Sequence, residues 1–459
     1  MINLNKLKEY YSSSPFVVKK LYSLIPWNIR MGSTYRDTYK FLINTEKWSE
    51  VQWIEYQESE LRKLLAYSKK HVKYYNRLFD KHNINIEASD IWNEYSKIPY
   101  LDKETLRSKE KELITTSISK NKLYRTTTGG STGTPVGITF SNDSYQKEWA
   151  YKVYFWNRSV GYTPQSRKAS FRGIDNNGVL YINNPIYNEI RFSPFMLDRV
   201  EDLDRIISKV KKYKPRYIHG YPSALYQLAK YMDNKQVSVG KVQGVILVSE
   251  NIFNNQIELL KKVFKCPVSS FYGHTERVTI ASMDNTCDNY YIHPGYGVCH
   301  LIDDNDQIID DYDIKGEIVG TGFTNLGMPL IKYKTDDFAC YTRSKSSIWN
   351  MRAVRKIQGY RDQEYVYGRN GQKVSLVALN MHSDIFSRLK KVQVYQSEIG
   401  RVQLNLVKED AYTKDDEKEL YQAYKNKLGN DFDLTFNYVE NIPLTVSGKQ
   451  KYYINEIKL

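Results

Sequence analysis

Arg216-Tyr217-Ile218-His219-Gly220-Tyr221-Pro222-Ser223-Ala224-Leu225-Tyr226-Gln227-Leu228-Ala229-Lys230-Tyr231-Met232 decides the fold class. Arg216 to His219 reads as a short strand. Pro222-Ser223 opens a helix whose apolar residues Leu225, Leu228, Ala229 and Met232 recur at helical spacing. Ser223 is the economical choice for capping it. Upstream, Leu203, Ile206, Ile207 and Val210 mark another helix face. Downstream, Val242 to Val248 reads as a buried strand. Ile257, Leu260, Val263 and Phe264 give a helix, and Pro267 to Phe271 a further strand. This alternation predicts an α/β body with a largely parallel sheet.

The chain has 459 residues, too many for one compact core. Hydrophobic residues make up 41% and charged residues 26%, which excludes a disordered chain. No apolar run is long enough for a membrane helix, and no secretory leader is expected. Four scattered cysteines (Cys266, Cys287, Cys299, Cys340) exclude a disulfide scaffold and fit a reducing cytoplasm.

The net charge is +15. Residues 1–120 hold 21 basic and 15 acidic residues, whereas residues 362–459 hold 14 of each. A basic body therefore carries a neutral C-terminal unit. Such a field attracts phosphorylated ligands, nucleic acid or an anionic membrane surface without choosing among them. The lysines are spread over helix faces and no nucleic-acid motif occurs, so nucleic acid is not an expected partner.

Residues 1–48 are basic and aromatic, with Pro15 and Pro26 breaking any long helix. Ser13 to Leu24 reads as a short helix packed on the body, with an interfacial helix, and so a peripheral membrane contact, as the alternative. From Ile54 to Phe79, Leu61, Leu64, Leu65, Val72, Tyr75 and Leu78 keep helical spacing. Asp102, in the loop Ile98 to Lys103, is a plausible N-cap for the next helix. After residue 290 the pattern turns to short strands with glycine turns, Gly316 to Thr321 and Pro329 to Tyr333. The polar stretch Gln358 to Asp362 marks the expected boundary between a large domain, 1–360, and a small α+β domain, 361–459. Strands in the latter are expected near Val392–Tyr395, Gln403–Val407 and Leu434–Val439, with a helix near Asp415–Leu428.

The sharpest local feature is Thr126-Thr127-Thr128-Gly129-Gly130-Ser131-Thr132-Gly133-Thr134-Pro135-Val136-Gly137. Nothing here packs a core. Glycines let backbone N–H groups approach an anion, and hydroxyls add donors. The Gly-Lys-[Ser/Thr] ending of a Walker loop is absent.

This loop resembles the phosphate-binding loop of the adenylate-forming enzymes. The chain is most similar to the phenylacetate–CoA ligase branch, and within it to proteins of capsular polysaccharide biosynthesis. Four further segments match in order. Val248-Ser249-Glu250 resembles the turn that contacts adenine. Phe271-Tyr272-Gly273-His274-Thr275-Glu276 resembles the aromatic-Gly-x-Thr-Glu motif. Tyr333-Lys334-Thr335-Asp336-Asp337 is similar to Tyr-Arg-Thr-Gly-Asp. Ile442-Pro443-Leu444-Thr445-Val446-Ser447-Gly448-Lys449 is similar to Pro-x-Thr-x-x-Gly-Lys. The likeness covers roughly residues 50–455.

The resemblance implies a large α/β body and a small mobile C-terminal domain that turn ATP and a carboxylic acid into an acyl-adenylate. It implies that Thr127 to Gly133 hold the β- and γ-phosphates and that Ser249 and Glu250 lie at adenine. Tyr272 would stack on adenine, with Gly273 and His274 beside the nucleotide. Thr275 would donate to the α-phosphate, and Glu276 would ligate Mg²⁺. Asp337 would accept from the ribose hydroxyls. Arg361 would touch ribose or phosphate, with residues 359–364 as the hinge. Lys449 would bring the carboxylate and the α-phosphate together. An amine or thiol then opens the mixed anhydride, with coenzyme A the acceptor that the ligase relatives imply and a sugar or nucleotide-sugar the one that capsule proteins imply.

The chain departs from that pattern in places. Val136 stands where many relatives carry lysine, Leu444 where arginine is frequent, and Asp336 where glycine precedes the ribose aspartate. Cys287 and His293 resemble half of a zinc site of some relatives, but only Cys340 precedes the hinge, so zinc is not expected. Phe171, Arg172, His219 and Tyr221 flank strand ends and are candidates to line the acid pocket, Arg172 as partner of an anionic substrate. The weighed alternatives to an acyl-transferring ligase are a nucleic-acid-binding protein and a catalytically silent scaffold docked on a membrane-bound glycan assembly.

Overall fold

The computed structural model describes residues 10, 14–127, 136–172, 179–198, 200–249, 252, 254–284, 289–346, 348–359, 365–379, 388–408, 411–442 and 453–457. Its centre is a run of short parallel strands: β3 (Lys168–Phe171), β5 (Glu189–Phe192), β6 (Tyr217–Gly220), β7 (Gly244–Leu247) and β8 (Val268–Gly273). They lie in the order β5-β3-β6-β7-β8. Paired residues of a parallel ladder share a face. One face, with Ala169, Phe171, Ile190, Ile218, Val245, Leu247 and Val268, is buried against helices Val200–Tyr213, Pro222–Asn234 and Asn254–Phe264. The other, with Tyr217 and Ile246, is covered by helix Asn142–Val160. Both faces are thus dry, as a parallel sheet requires. Gly220 is needed where β6 meets β3, because a Cβ there would stand 2.5 Å from the Phe171 carbonyl oxygen.

The parallel expectation holds only for this run. Beyond β8 the same sheet continues antiparallel through β9 (Ile280–Met283), β10 (Tyr290–Ile292), β15 (Ala353–Gly359), β14 (Tyr333–Thr342), β13 (Lys315–Gly322), β11 (Gly297–Ile302) and β12 (Ile308–Ile309). At the other end β4 (Tyr181–Asn184) pairs antiparallel with β5. Among the described residues no helix separates the strands between β8 and β15. Short connections cannot return a chain in the same direction, so these strands alternate. Pro329 to Lys332 are not strand; the strand begins at Tyr333.

Helix Glu50–His71 starts at a capping box formed by Ser49 and Gln52. The single expected run from Ile54 to Phe79 is two helices, because Val72, buried and extended, interrupts it before Lys73–Lys81. Ser223 is not the cap of its helix: Pro222 is the first helical residue, and the cap position falls on Tyr221, which makes no side-chain cap bond. Pro supplies the N-terminal geometry by its fixed φ.

Residues from 365 onward form their own sheets. β16 (Tyr365–Tyr367) pairs with β17 (Lys373–Ser375). β20 (Asp433–Tyr438), β19 (Arg401–Lys408), β18 (Leu389–Gln396) and β21 (Tyr453–Asn455) make a four-stranded sheet in that order. Helix Lys414–Leu428, opened by a Thr413–Asp416 capping box, packs Leu420, Tyr424 and Leu428 on Val392, Val394, Leu404 and Leu406. Among the described residues no helix is long and apolar enough to cross a membrane.

Candidate active site

Three separate stretches of chain converge beyond β8. The first is the turn His274 to Arg277, closed by the Arg277 N–H donating to the His274 carbonyl. The second is the start of β14. A register shift against β13 accompanies Asp336 at φ 59, and the Asp336 N–H donates to Glu317 Oε1 at 2.8 Å. Such a bulge re-aims side chains. The third is the segment ending at Lys103. The Leu101 N–H donates to the Lys332 carbonyl, and the Lys334 N–H to the Leu101 carbonyl, pinning this segment to β14. Asp102 caps helix Lys103–Ser108 through the Thr105 N–H at 2.7 Å, as the sequence predicts.

These stretches bring together an acidic cluster with one lysine. Glu276 is buried; its Oε1 accepts from the Tyr333 hydroxyl at 2.9 Å and its Oε2 lies 3.3 Å from His274 Nδ1. Burial alone would raise its pKa, but His274 and Lys103 outweigh that and hold the carboxyl down at about 2. Asp337 Oδ2 accepts from the Tyr272 hydroxyl at 2.8 Å. Burial keeps the Asp337 pKa above the usual value, although His274 and Lys103 oppose it. Lys103 Nζ sits 2.8 Å from Asp336 Oδ2 and 3.2 Å from the Thr335 carbonyl. Desolvation disfavours its charge, yet Asp336, Glu276 and Asp337 raise its pKa on balance. Neither ring nitrogen of His274 has a well-aligned hydrogen-bond partner among the described residues. A buried polar group in that condition is costly unless a ligand or water satisfies it.

Arg277 ties this turn to the hairpin β1 (Leu123–Thr127) and β2 (Gly137–Ser141), the two arms of the threonine–glycine loop. Its guanidinium donates to Tyr124 on β1 (3.2 Å) and to Ser144 (3.1 Å), and lies 4.1 Å from the Phe140 ring on β2. Glu148, whose pKa burial would raise, is held at about 2 by Lys152 and Arg277.

Of the residues expected from the sequence, Tyr272, Gly273, His274, Thr275, Glu276 and Asp337 lie on these converging segments, at the end of β8, in the turn, and on β14. Thr127 is the buried last residue of β1. Ser249 is exposed with φ 66 after β7. Thr128, Gly129, Gly130, Ser131, Thr132, Gly133, Glu250, Cys287, Arg361 and Lys449 lie outside the described residues. His293 is enclosed by the rings of Trp53, Tyr151, Tyr154 and Phe155, and burial pushes its pKa down to about 3. Among the described residues no group of three histidine, cysteine or acidic side chains could hold a metal. His219, buried on β6, places Nδ1 3.0 Å from the Ser170 hydroxyl, which donates to Glu189. Lys103 and Arg277 escaped the sequence reading. The signals were slight: a lysine after a cap residue, and an arginine directly after the Thr275-Glu276 pair.

The fold is that of the adenylate-forming ligases. A structure of 2-hydroxyisobutyryl-CoA ligase with 2-HIB-AMP and CoA superimposes with a TM-score of 0.59 and 14% identity, over 90% of this chain and 91% of that one. The same ligase in its postadenylation state gives 0.55 and 12%, over 89% and 91%. Residues 366–456 match the CapK C-terminal domain family model. Over 98% of its length the chain is 24% identical to the protein CapK of Staphylococcus aureus, all of which is covered.

Proposed function

We propose that the protein uses ATP to activate a carboxylic acid as an acyl-adenylate, releasing pyrophosphate, and passes the acyl group to an amine or thiol acceptor in bacterial capsule or surface polysaccharide assembly. The observation that carries this reading is the meeting of Glu276 and Asp337 around Lys103, with Glu276 on a turn that Arg277 bonds to the stem of the threonine–glycine loop. In this arrangement the loop, Thr127 to Gly133, takes the β- and γ-phosphates. Thr275 donates to the α-phosphate, Tyr272 lies on adenine beside Ser249 and Glu250, and Asp337 accepts from ribose. Preorganised donors of this kind stabilise charge that develops on transfer.

Glu276 fits a magnesium ligand. It is a carboxylate kept ionised, and a hard cation takes such oxygens together with those of the phosphates. Magnesium would offset phosphate charge as the acid approaches. Lys449, on a small C-terminal domain (361–459) that turns about residues 359–364 near Arg361, supplies the cation between acid and α-phosphate.

A capsule role rests on the similarity to CapK, and the acceptor there is a sugar or nucleotide-sugar amine. Coenzyme A is the alternative acceptor, supported by the likeness to a CoA ligase fold. The place of work in this reading is the cytoplasm, at the inner face of the membrane. The test is a panel of carboxylates (uronic acids, amino acids, aryl acids, small hydroxy acids) in a pyrophosphate-release assay, with hydroxylamine trapping the adenylate. Activity with one acid that stops on chelation and returns with Mg²⁺ is expected. Absence of pyrophosphate release with every acid, while ATP still binds, supports the silent scaffold instead. Adding coenzyme A or amino sugars to the active pair then decides the acceptor.

A further inference from the structure

The segment Ser14 to Arg30 has its polarity turned outward. Helix Phe16–Ser23 buries none of its residues. Val17, Leu21, Leu24 and Ile29 are each 60% exposed or more, while Lys19 is half-buried. A helix resting on a protein core does the opposite, hiding leucine and showing lysine. The base of the segment is nevertheless firmly seated. Trp27 is buried with its ring against Trp149 and Tyr187, and Arg30 Nη1 donates to the Ile186 carbonyl at 3.0 Å. The segment is therefore seated on the body with apolar side chains left outward. The helix packs against Pro185–Tyr187, as the sequence predicts, but it leaves these apolar side chains outward.

We infer that residues 14–30 dock the protein on an anionic lipid surface. In this pose Val17, Leu21, Leu24 and Ile29 enter the boundary between headgroups and acyl chains, and Lys20, exposed beside Val17 and Leu24, meets headgroup phosphates. Charge argues for this occupant. Residues 1–30 contain five cations (Lys6, Lys8, Lys19, Lys20, Arg30) and one acid, Glu9. A second copy of the chain seated on the same face about a two-fold axis would set this basic segment against its own image. An anionic bilayer satisfies both the apolar area and the charge. Docking by this element rests on the peripheral location read above and not on the ligase chemistry, so the two are separable by experiment.

The test is co-sedimentation of the full chain with vesicles of phosphatidylglycerol and phosphatidylcholine, and with pure phosphatidylcholine. Binding to the mixed vesicles that weakens with salt is expected. Leu21→Ser/Leu24→Ser and, separately, Lys20→Glu should each lower it by about tenfold or more. All of these side chains are exposed, and melting temperature checks that the variants fold. Pyrophosphate release measured without vesicles should be unchanged in both. Equal binding to neutral vesicles, or undiminished binding by the leucine variant, overturns the inference. So does a dimer in light scattering that the leucine variant dissociates, since the face would then meet another copy.

Discussion

Lys103 Nζ and Asp336 Oδ2 lie 2.8 Å apart, joining residues 233 positions distant in sequence. Asp336 stands at φ 59, a conformation that glycine adopts without strain, which explains the glycine of the resembled motif. The aspartate adds a third negative charge beside Glu276 and Asp337, and Lys103 balances it. Lys103→Met should leave three carboxylates facing one another. Thermal unfolding should show a loss of about 2–4 kcal/mol, discounted for the pair's partial exposure from the cost of breaking a buried pair. Nucleotide affinity should fall with it. Adding Asp336→Gly should recover part of both; no recovery would show that Lys103 does not act through Asp336.

Acid should affect the two carboxylates unequally. Glu276 has a folded pKa of about 2, lowered from its ordinary value, so its charge persists until strongly acid pH. Asp337 has a raised folded pKa because of burial, so it takes up a proton first as pH falls. Once protonated it no longer offers ribose an acceptor-only group. ATP affinity measured by fluorescence should therefore decline at a pH above the usual aspartate range. In Asp337→Asn the affinity should be low throughout, without that step.

Lys449→Ala should suppress adenylate formation by about 10²–10³-fold, the scale of removing one stabilising group at the reacting centre. The melting temperature should not move. Pyrophosphate exchange that survives with the true acid would remove Lys449 from the reaction.

Arg277 holds Tyr124, Ser144 and the Phe140 ring while compensating Glu148. Arg277→Met should cost about 1–3 kcal/mol, as for a partly buried ion network losing its cation. It should also raise the KM for ATP more than it lowers kcat, because the loop stem loses its tether to the Glu276 turn. A kcat effect alone would contradict this role.

The parallel strands β6, β7 and β8 and the helices around them were legible because local pattern specifies them, as in Leu225, Leu228, Ala229 and Met232, whereas β3 and β5 were not read. Asp102 was legible because a cap needs only a backbone N–H three residues ahead. Tyr272, Glu276 and Asp337 were found by motif, and the fold brings their segments together. Lys103 was not found, since its meaning comes from a strand segment that begins far downstream. The antiparallel half of the sheet was missed because strand direction depends on connection length, not on the strands themselves. The break at Val72 was hidden because a buried valine keeps helical spacing while its backbone is extended. The packing of residues 16–23 on the body was expected, but which side chains face outward was not legible, since a short segment between two prolines does not reveal which face meets the body.

A sheet this broad ends in two meagre borders. β12 is two residues long, and β4 is four residues long, stopped by Pro185. Each offers a newcomer strand very few unpaired backbone groups, and proline donates none. The wide sheet is thereby guarded against edge-on growth into fibres, so chains crowded together while being synthesised have little template on which to stack.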